Sequence, residues 1–229
     1  MNGTPQLPNI SLNKLGEFQN ATPAKKRSIL KSIKFPSTFK NARYSSPKSA
    51  FTNFMADKHH DYSIFETKKN LIAKRVADTS WKINNKVCCM EAVDHLKTIS
   101  ETTVVPYLTF KSQKGLQKEF SNINIDGVEI NLNPDIVLLD NRDLSIKGVV
   151  KLVFSKSREV DFTEGQMISG LLKYHIDKHY GLNIDPVNCM SIDVFHDKHA
   201  LAPVHFDEQY KKIKMSCKEI LELWPSISA

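Results

Sequence analysis

Apolar residues recur at helical spacing in two stretches, with Ile64, Phe65 and Leu71 inside residues 61–73 and Val87, Met90, Val93 and Leu96 inside residues 80–100. Each stretch predicts an amphipathic helix. Past residue 100 the period changes, and residues 104–111, 123–124, 128–132, 136–139 and 146–154 form short runs rich in β-branched side chains that predict strands. Asp126-Gly127 has the composition of a two-residue hairpin turn and residues 141–143 that of a second turn, so residues 123–154 are expected to fold as a three-stranded antiparallel meander. Thr163 opens a long helix over 164–180, with Met167, Leu171, Leu172 and Ile176 on one face and Gly181 at its end. A strand at 190–195 and a last helix at 209–223 follow, the helix carrying Ile213, Met215, Cys217, Ile220 and Leu221 on its apolar side. Helices, a meander, then helix, strand and helix predict an α/β domain whose central mixed sheet is flanked by helices.

The N-terminal segment has a different character. Residues 1–21 are polar and contain Pro5 and Pro8, which predicts a mobile or loosely docked leader. Thr22 then has the chemistry of a helix N-cap, Pro23 of a first helical residue, and 24–33 of a short helix with Lys25, Lys26, Arg27 and Lys31 on its exposed sides, stopped by Pro36. Ser46-Pro47 opens another helix running to about Met55, and the loop between them, 37–45, carries Arg43 and Tyr44.

Charge sharpens this division. The chain of 229 residues carries +7 in all, yet residues 1–50 hold nine Lys and Arg against one acid, Glu17, so that the remainder sums to about −1. The expected organisation is a basic, partly helical arm over 1–60 and an α/β domain over 61–229. A cationic arm of this kind suits a polyanion, with Lys25, Lys26, Arg27, Lys31 and Arg43 as phosphate contacts and Tyr44 as a stacking partner; a merely solvated helix face is the competing reading. No apolar run approaches the roughly 20 residues that span a bilayer, and the first residues lack a secretory pattern, so a soluble cytoplasmic chain without a membrane partner is expected.

The four cysteines (88, 89, 189, 217) form no C-x-x-C pair and are expected as buried thiols. His175 and His179 have metal-sharing spacing but no intervening glutamate, and are expected on a solvated face; Trp81 and Trp224 are expected to cap the core.

The residue that stands out is Lys151, set in the apolar run 148–154 where a strand buried on both faces excludes a lone charge. Pro134-Asp135 begins the preceding strand sixteen residues earlier and would face it across the hairpin. The pair is either a cross-strand ion pair or part of a metal-dependent phosphodiester hydrolysis site, where a carboxylate binds the metal and a lysine positions the attacking water.

On these residues the sequence resembles the PD-(D/E)xK nuclease superfamily over about 80–222, and within it the nuclease domain of bacterial recombination helicase-nucleases. The resemblance implies a restriction-endonuclease-like sheet, with Asp135 as metal ligand, Lys151 as the lysine and Gln166 on the next helix as a supporting glutamine. It implies Mg²⁺ or Mn²⁺ held by Asp135 and the carbonyl of Val150. The acid that should stand two residues before the lysine is Val149, so Glu164, Asp161 or Glu91 would have to supply the second carboxylate, with Glu164 preferred. The related adaptation exonucleases carry a four-cysteine iron–sulfur cluster, and the cysteine spacing here matches none. The expectation is a nuclease-fold protein acting on or binding DNA, in a mobile-element or phage setting, either as a metal-dependent nuclease or as a non-catalytic module binding nucleic acid or protein.

Overall fold

A computed structural model describes residues 7–36, 43–116 and 121–228. In chain order the described elements are β1 (Asn9–Ser11), α1 (Leu12–Gln19), α2 (Pro23–Lys34), α3 (Ser45–Ala56), α4 (Ser63–Ala73), α5 (Ser80–Glu101), β2 (Lys111–Gln113), β3 (Asn122–Ile125), β4 (Val128–Asn131), β5 (Ile136–Leu139), β6 (Ile146–Val153), α6 (Phe162–Tyr180), β7 (Cys189–Asp193), β8 (Lys198–Leu201) and α7 (Asp207–Leu223). No helix among the described residues is long and apolar enough to cross a membrane.

The local signals act where the chemistry requires. Thr22 caps α2 by accepting from the Lys25 N–H, with Pro23 in the first turn; Thr79 caps α5 in the same way. Asp161, rather than Thr163, opens α6 by accepting from the Glu164 N–H. Gly181 closes α6 at φ 63°, a left-handed conformation that costs glycine little.

Two sheets form. The larger has the order β2-β5-β6-β7-β8, antiparallel except for the parallel pair β6 and β7 joined through α6. The smaller has the order β1-β4-β3, with β1 parallel to β4 and β3 antiparallel to it. The expected three-stranded meander is therefore split: the Asp126-Gly127 hairpin pairs β3 with β4, but β4 does not continue onto β5. Asn133 at φ 28° and Pro134, which has no N–H to give a ladder, break the run, and the Leu132 N–H turns back to the Ser121 carbonyl at 2.8 Å.

Alternation along β6 divides the core. Val150 and Leu152 pack with Ile136, Leu138, Met190 and Ile192 under α3, α4 and α5. Val149 and Val153 pack with Val137, Leu139 and Cys189 against α1, α6, α7 and the small sheet. Helices on both faces explain why β6 reads as a continuous apolar run.

Other expectations are corrected. The described part of the leader is ordered structure: β1 adds to β4, and Leu12, Leu15 and Phe18 of α1 are fully buried in the second of these clusters, because period-3.6 apolar residues in a short polar segment suffice to dock it. Residues 1–6 and most of the expected loop at 37–45, residues 37–42 with Lys40, lie outside the described residues. The run 104–111 is not one strand: Pro106 starts a 3-10 turn, Val105–Thr109, and only Lys111–Gln113 pairs, with β5. Strand β8, unread from sequence, is a four-residue edge. His175 is buried with Leu171, Leu172 and Ile176 on the inner face of α6, and Trp81 is 46 % exposed rather than capping anything. Trp224 does pack on the core, and Lys34 donates to the carbonyls of Trp224 and Ile227 at 2.7 and 2.9 Å. All four cysteines are free and buried.

Candidate functional site

The β5–β6 register sets Ile136 opposite Val150, which puts Asp135 directly across from Lys151. The Asp135 N–H bonds the Val150 carbonyl at 2.9 Å, and the Leu152 N–H bonds Asp135 Oδ2 at 2.7 Å. Lys151 Nζ lies 3.8 Å from Oδ2 and donates to the Asn133 carbonyl. Lys48 of α3 reaches in from the other side, its Nζ 2.6 Å from Asp135 Oδ1. Asp135 and Lys151 are 4 % and 8 % exposed, so one carboxylate is shared by two ammonium groups and a backbone N–H with almost no solvent.

Burial is the main force on Lys151: desolvation lowers its pKa from the ordinary lysine value, the Lys48 charge adds to that, and Asp135 opposes it. Because the folded pKa is the lower one, the unfolded chain binds more protons in the interval below about 10.4, and stability rises with pH there. Chemical denaturation across the alkaline range is expected to show wild type gaining on Lys151→Met as pH approaches that value.

The remaining metal-ligand candidates are engaged elsewhere. Glu164 is 1 % exposed and clasped by Arg158 through both guanidinium nitrogens, one at 2.8 Å. Gly16 makes room for it: a Cβ there would sit 2.9 Å from Glu164 Cγ. Glu91 pairs with Lys156 at the surface. Asp161 caps α6 and accepts from Asn20 Nδ2. The Val150 carbonyl is taken by Asp135, and the half-buried Gln166 side chain hydrogen-bonds to none of these groups. Among the described residues no group of three or more His, Cys, Asp or Glu could hold a metal ion. A hard divalent cation wants several oxygens and near-ideal geometry; the donor set around Asp135, one carboxylate facing two ammonium groups with Val149 buried beside it, does not fit Mg²⁺ or Mn²⁺.

Next to this pair, at the C-terminal end of β6, opens a cleft of about 920 Å³. Its described walls carry Lys14, Lys25, Arg43, Lys156 and Arg158 against one carboxylate, Glu17. Glu17 is held by Lys14 at 2.6 Å and Lys25 at 3.2 Å, and both lysines keep its carboxyl below the usual range against the opposing effect of burial. Of the five arm cations expected to meet phosphate, Lys25 and Arg43 line the cleft, Lys26 is turned away into a pair with Glu219 at 2.6 Å, and Arg27 and Lys31 are exposed on α2.

Lys48, Lys156 and Arg158 were not singled out by the sequence. Lys156 and Arg158 carried a signal, since two cations directly follow a strand buried on both faces; Lys48 carried none, because its partner is 87 residues away. A scan of the sequence against protein-family models gave no match, and a search against curated proteins also gave none.

Proposed function

We propose that this chain is a nucleic-acid-binding module of PD-(D/E)xK-like architecture in which an internal ion-pair triad stands where hydrolysis would need a metal. The observation that carries the reading is the occupancy of Asp135: both carboxylate oxygens are taken by Lys48, Lys151 and the Leu152 N–H. Support for the architecture comes from the hairpin with Asp135 opposite Lys151, followed by a helix and a strand parallel to β6. Support for binding comes from the cationic cleft beside the triad, since nucleic-acid affinity is dominated by neutralised phosphates. DNA is the preferred partner.

Incubation with linear duplex and single-stranded DNA in Mg²⁺ or Mn²⁺ tests this. Full recovery of intact DNA, with retention of the complex at low salt, is the expected result. Metal-dependent cleavage that disappears in both Asp135→Asn and Lys151→Met would instead make the protein a nuclease.

A further inference from the structure

The cleft contains more than charge. Tyr44 and Phe154 line it and stack on each other with ring centroids 4.8 Å apart and planes 10° from parallel. Phe195 meets Tyr44 edge-on at 5.5 Å, and His95 meets Phe195 edge-on at 5.6 Å, so the pair is braced by a second row of rings. Burial pushes the Tyr44 phenol above its ordinary pKa, with Arg43 opposing, so the hydroxyl stays protonated and the ring uncharged at neutral pH.

The cations around this ledge differ in how free they are. Arg158 is committed to the buried Glu164. Among the described residues Lys156 is ion-paired with the surface carboxylate of Glu91 alone, with both side chains 40 % or more exposed; pairs of that kind contribute little and exchange readily for another anion. Lys25 is 54 % exposed and shares Glu17 with Lys14. Arg43 is in no ion pair among the described residues, adjoins Tyr44 in sequence and has a planar guanidinium suited to phosphate.

We infer that the cleft binds single-stranded nucleic acid, with a base laid on the Tyr44–Phe154 ledge and the flanking phosphates on Arg43, Lys156 and Lys25. This rests on the nucleic-acid-binding reading above and adds strandedness and a site. Exposed base faces are what an aromatic ledge can take, and a duplex keeps those faces inside its stack; stacking plus a cationic track is how sequence-tolerant single-strand sites work. A concavity of about 920 Å³ has room for a short stretch of strand.

The test is fluorescence anisotropy with a labelled oligothymidine of about 12 nucleotides, titrated at salt between about 50 and 200 mM. Saturable binding is expected, with log K falling against log salt at a slope near −2, about −0.7 for each of three phosphates. The double variant Arg43→Ala, Lys156→Ala should lose about 10-fold or more and flatten the slope by about 1.4. Tyr44→Leu should weaken binding by about 10-fold with the slope unchanged, while Tyr44→Phe binds as wild type. Should Tyr44→Leu fail to fold, the charge variants, both at accessible positions, still decide the matter. Equal or tighter binding of a duplex of the same length, or charge variants with an unaltered slope, overturns the inference and leaves the DNA-binding reading standing. Competition by thymidine monophosphate as strong as by the oligonucleotide would make this a nucleotide pocket and overturn the strand assignment. No binding of strand or duplex even at the lowest salt overturns both.

Discussion

Asp135→Asn is expected to lower the unfolding free energy by about 3–5 kcal/mol, because it leaves the ammonium of Lys151 buried without a counter-charge. Asparagine keeps an oxygen for the Leu152 N–H, so the loss isolates charge from hydrogen bonding. In a chain of this length the midpoint of thermal unfolding should fall by on the order of 10 °C. Adding Lys151→Met should return much of that, since Lys48 is 37 % exposed at its side chain and can turn to water. A loss under about 1 kcal/mol in the single variant would mean that the triad is open to solvent and that the argument for an occupied, non-metal site is wrong.

The second large effect is expected at Arg158. Its guanidinium meets a Glu164 side chain that is fully buried, and that carboxylate raises the Arg158 pKa above its ordinary value. Arg158→Met should cost about 3–5 kcal/mol by stranding the carboxylate, and the double variant Arg158→Met, Glu164→Met should be near wild type or better, because a matched apolar pair avoids the desolvation of both ions. Urea midpoints for the four corners of this cycle give the coupling directly. Additive single effects would show that the two side chains do not act as a pair.

Much of the fold is legible in the sequence where the signal is local. Thr22-Pro23, the 80–100 periodicity, Asp126-Gly127 and Gly181 each act through neighbours in the chain, and each marks an element boundary or turn. The pairing of Asp135 with Lys151 is legible for a related reason: a hairpin fixes which residues face each other, and a charge in an apolar strand demands a partner. What is not legible depends on distant contacts. Asn133 and Pro134 mark the break after β4, but what pairs with β4 instead, β1, lies more than 100 residues upstream. Lys48 joins the triad from α3 and Glu164 is neutralised by a loop residue, so neither acid's availability for a metal can be read from spacing. Val149 illustrates the same limit from the other side. Its replacement of an acid is visible in the sequence, but the structure adds that it is fully buried among Val137, Val153 and Cys189, where a carboxylate would be costly unless the site were rebuilt around it.

The tie between the two ends of the described chain has a kinetic corollary. Strand β1 pairs with β4, and α2 is fastened through Lys26 to Glu219 and through Lys34 to the carbonyls of Trp224 and Ile227. During synthesis at about 5–20 residues per second, roughly 10–40 s separate the emergence of Lys34 from that of its last acceptors. For most of that interval, until α6 (Phe162–Tyr180) and then α7 (Asp207–Leu223) emerge, the apolar side of α1, with Leu12, Leu15 and Phe18, lacks its eventual neighbours from those helices. Ribosome-bound nascent chains of this protein should therefore present a chaperone-binding segment at α1 until α6 and α7 have been made.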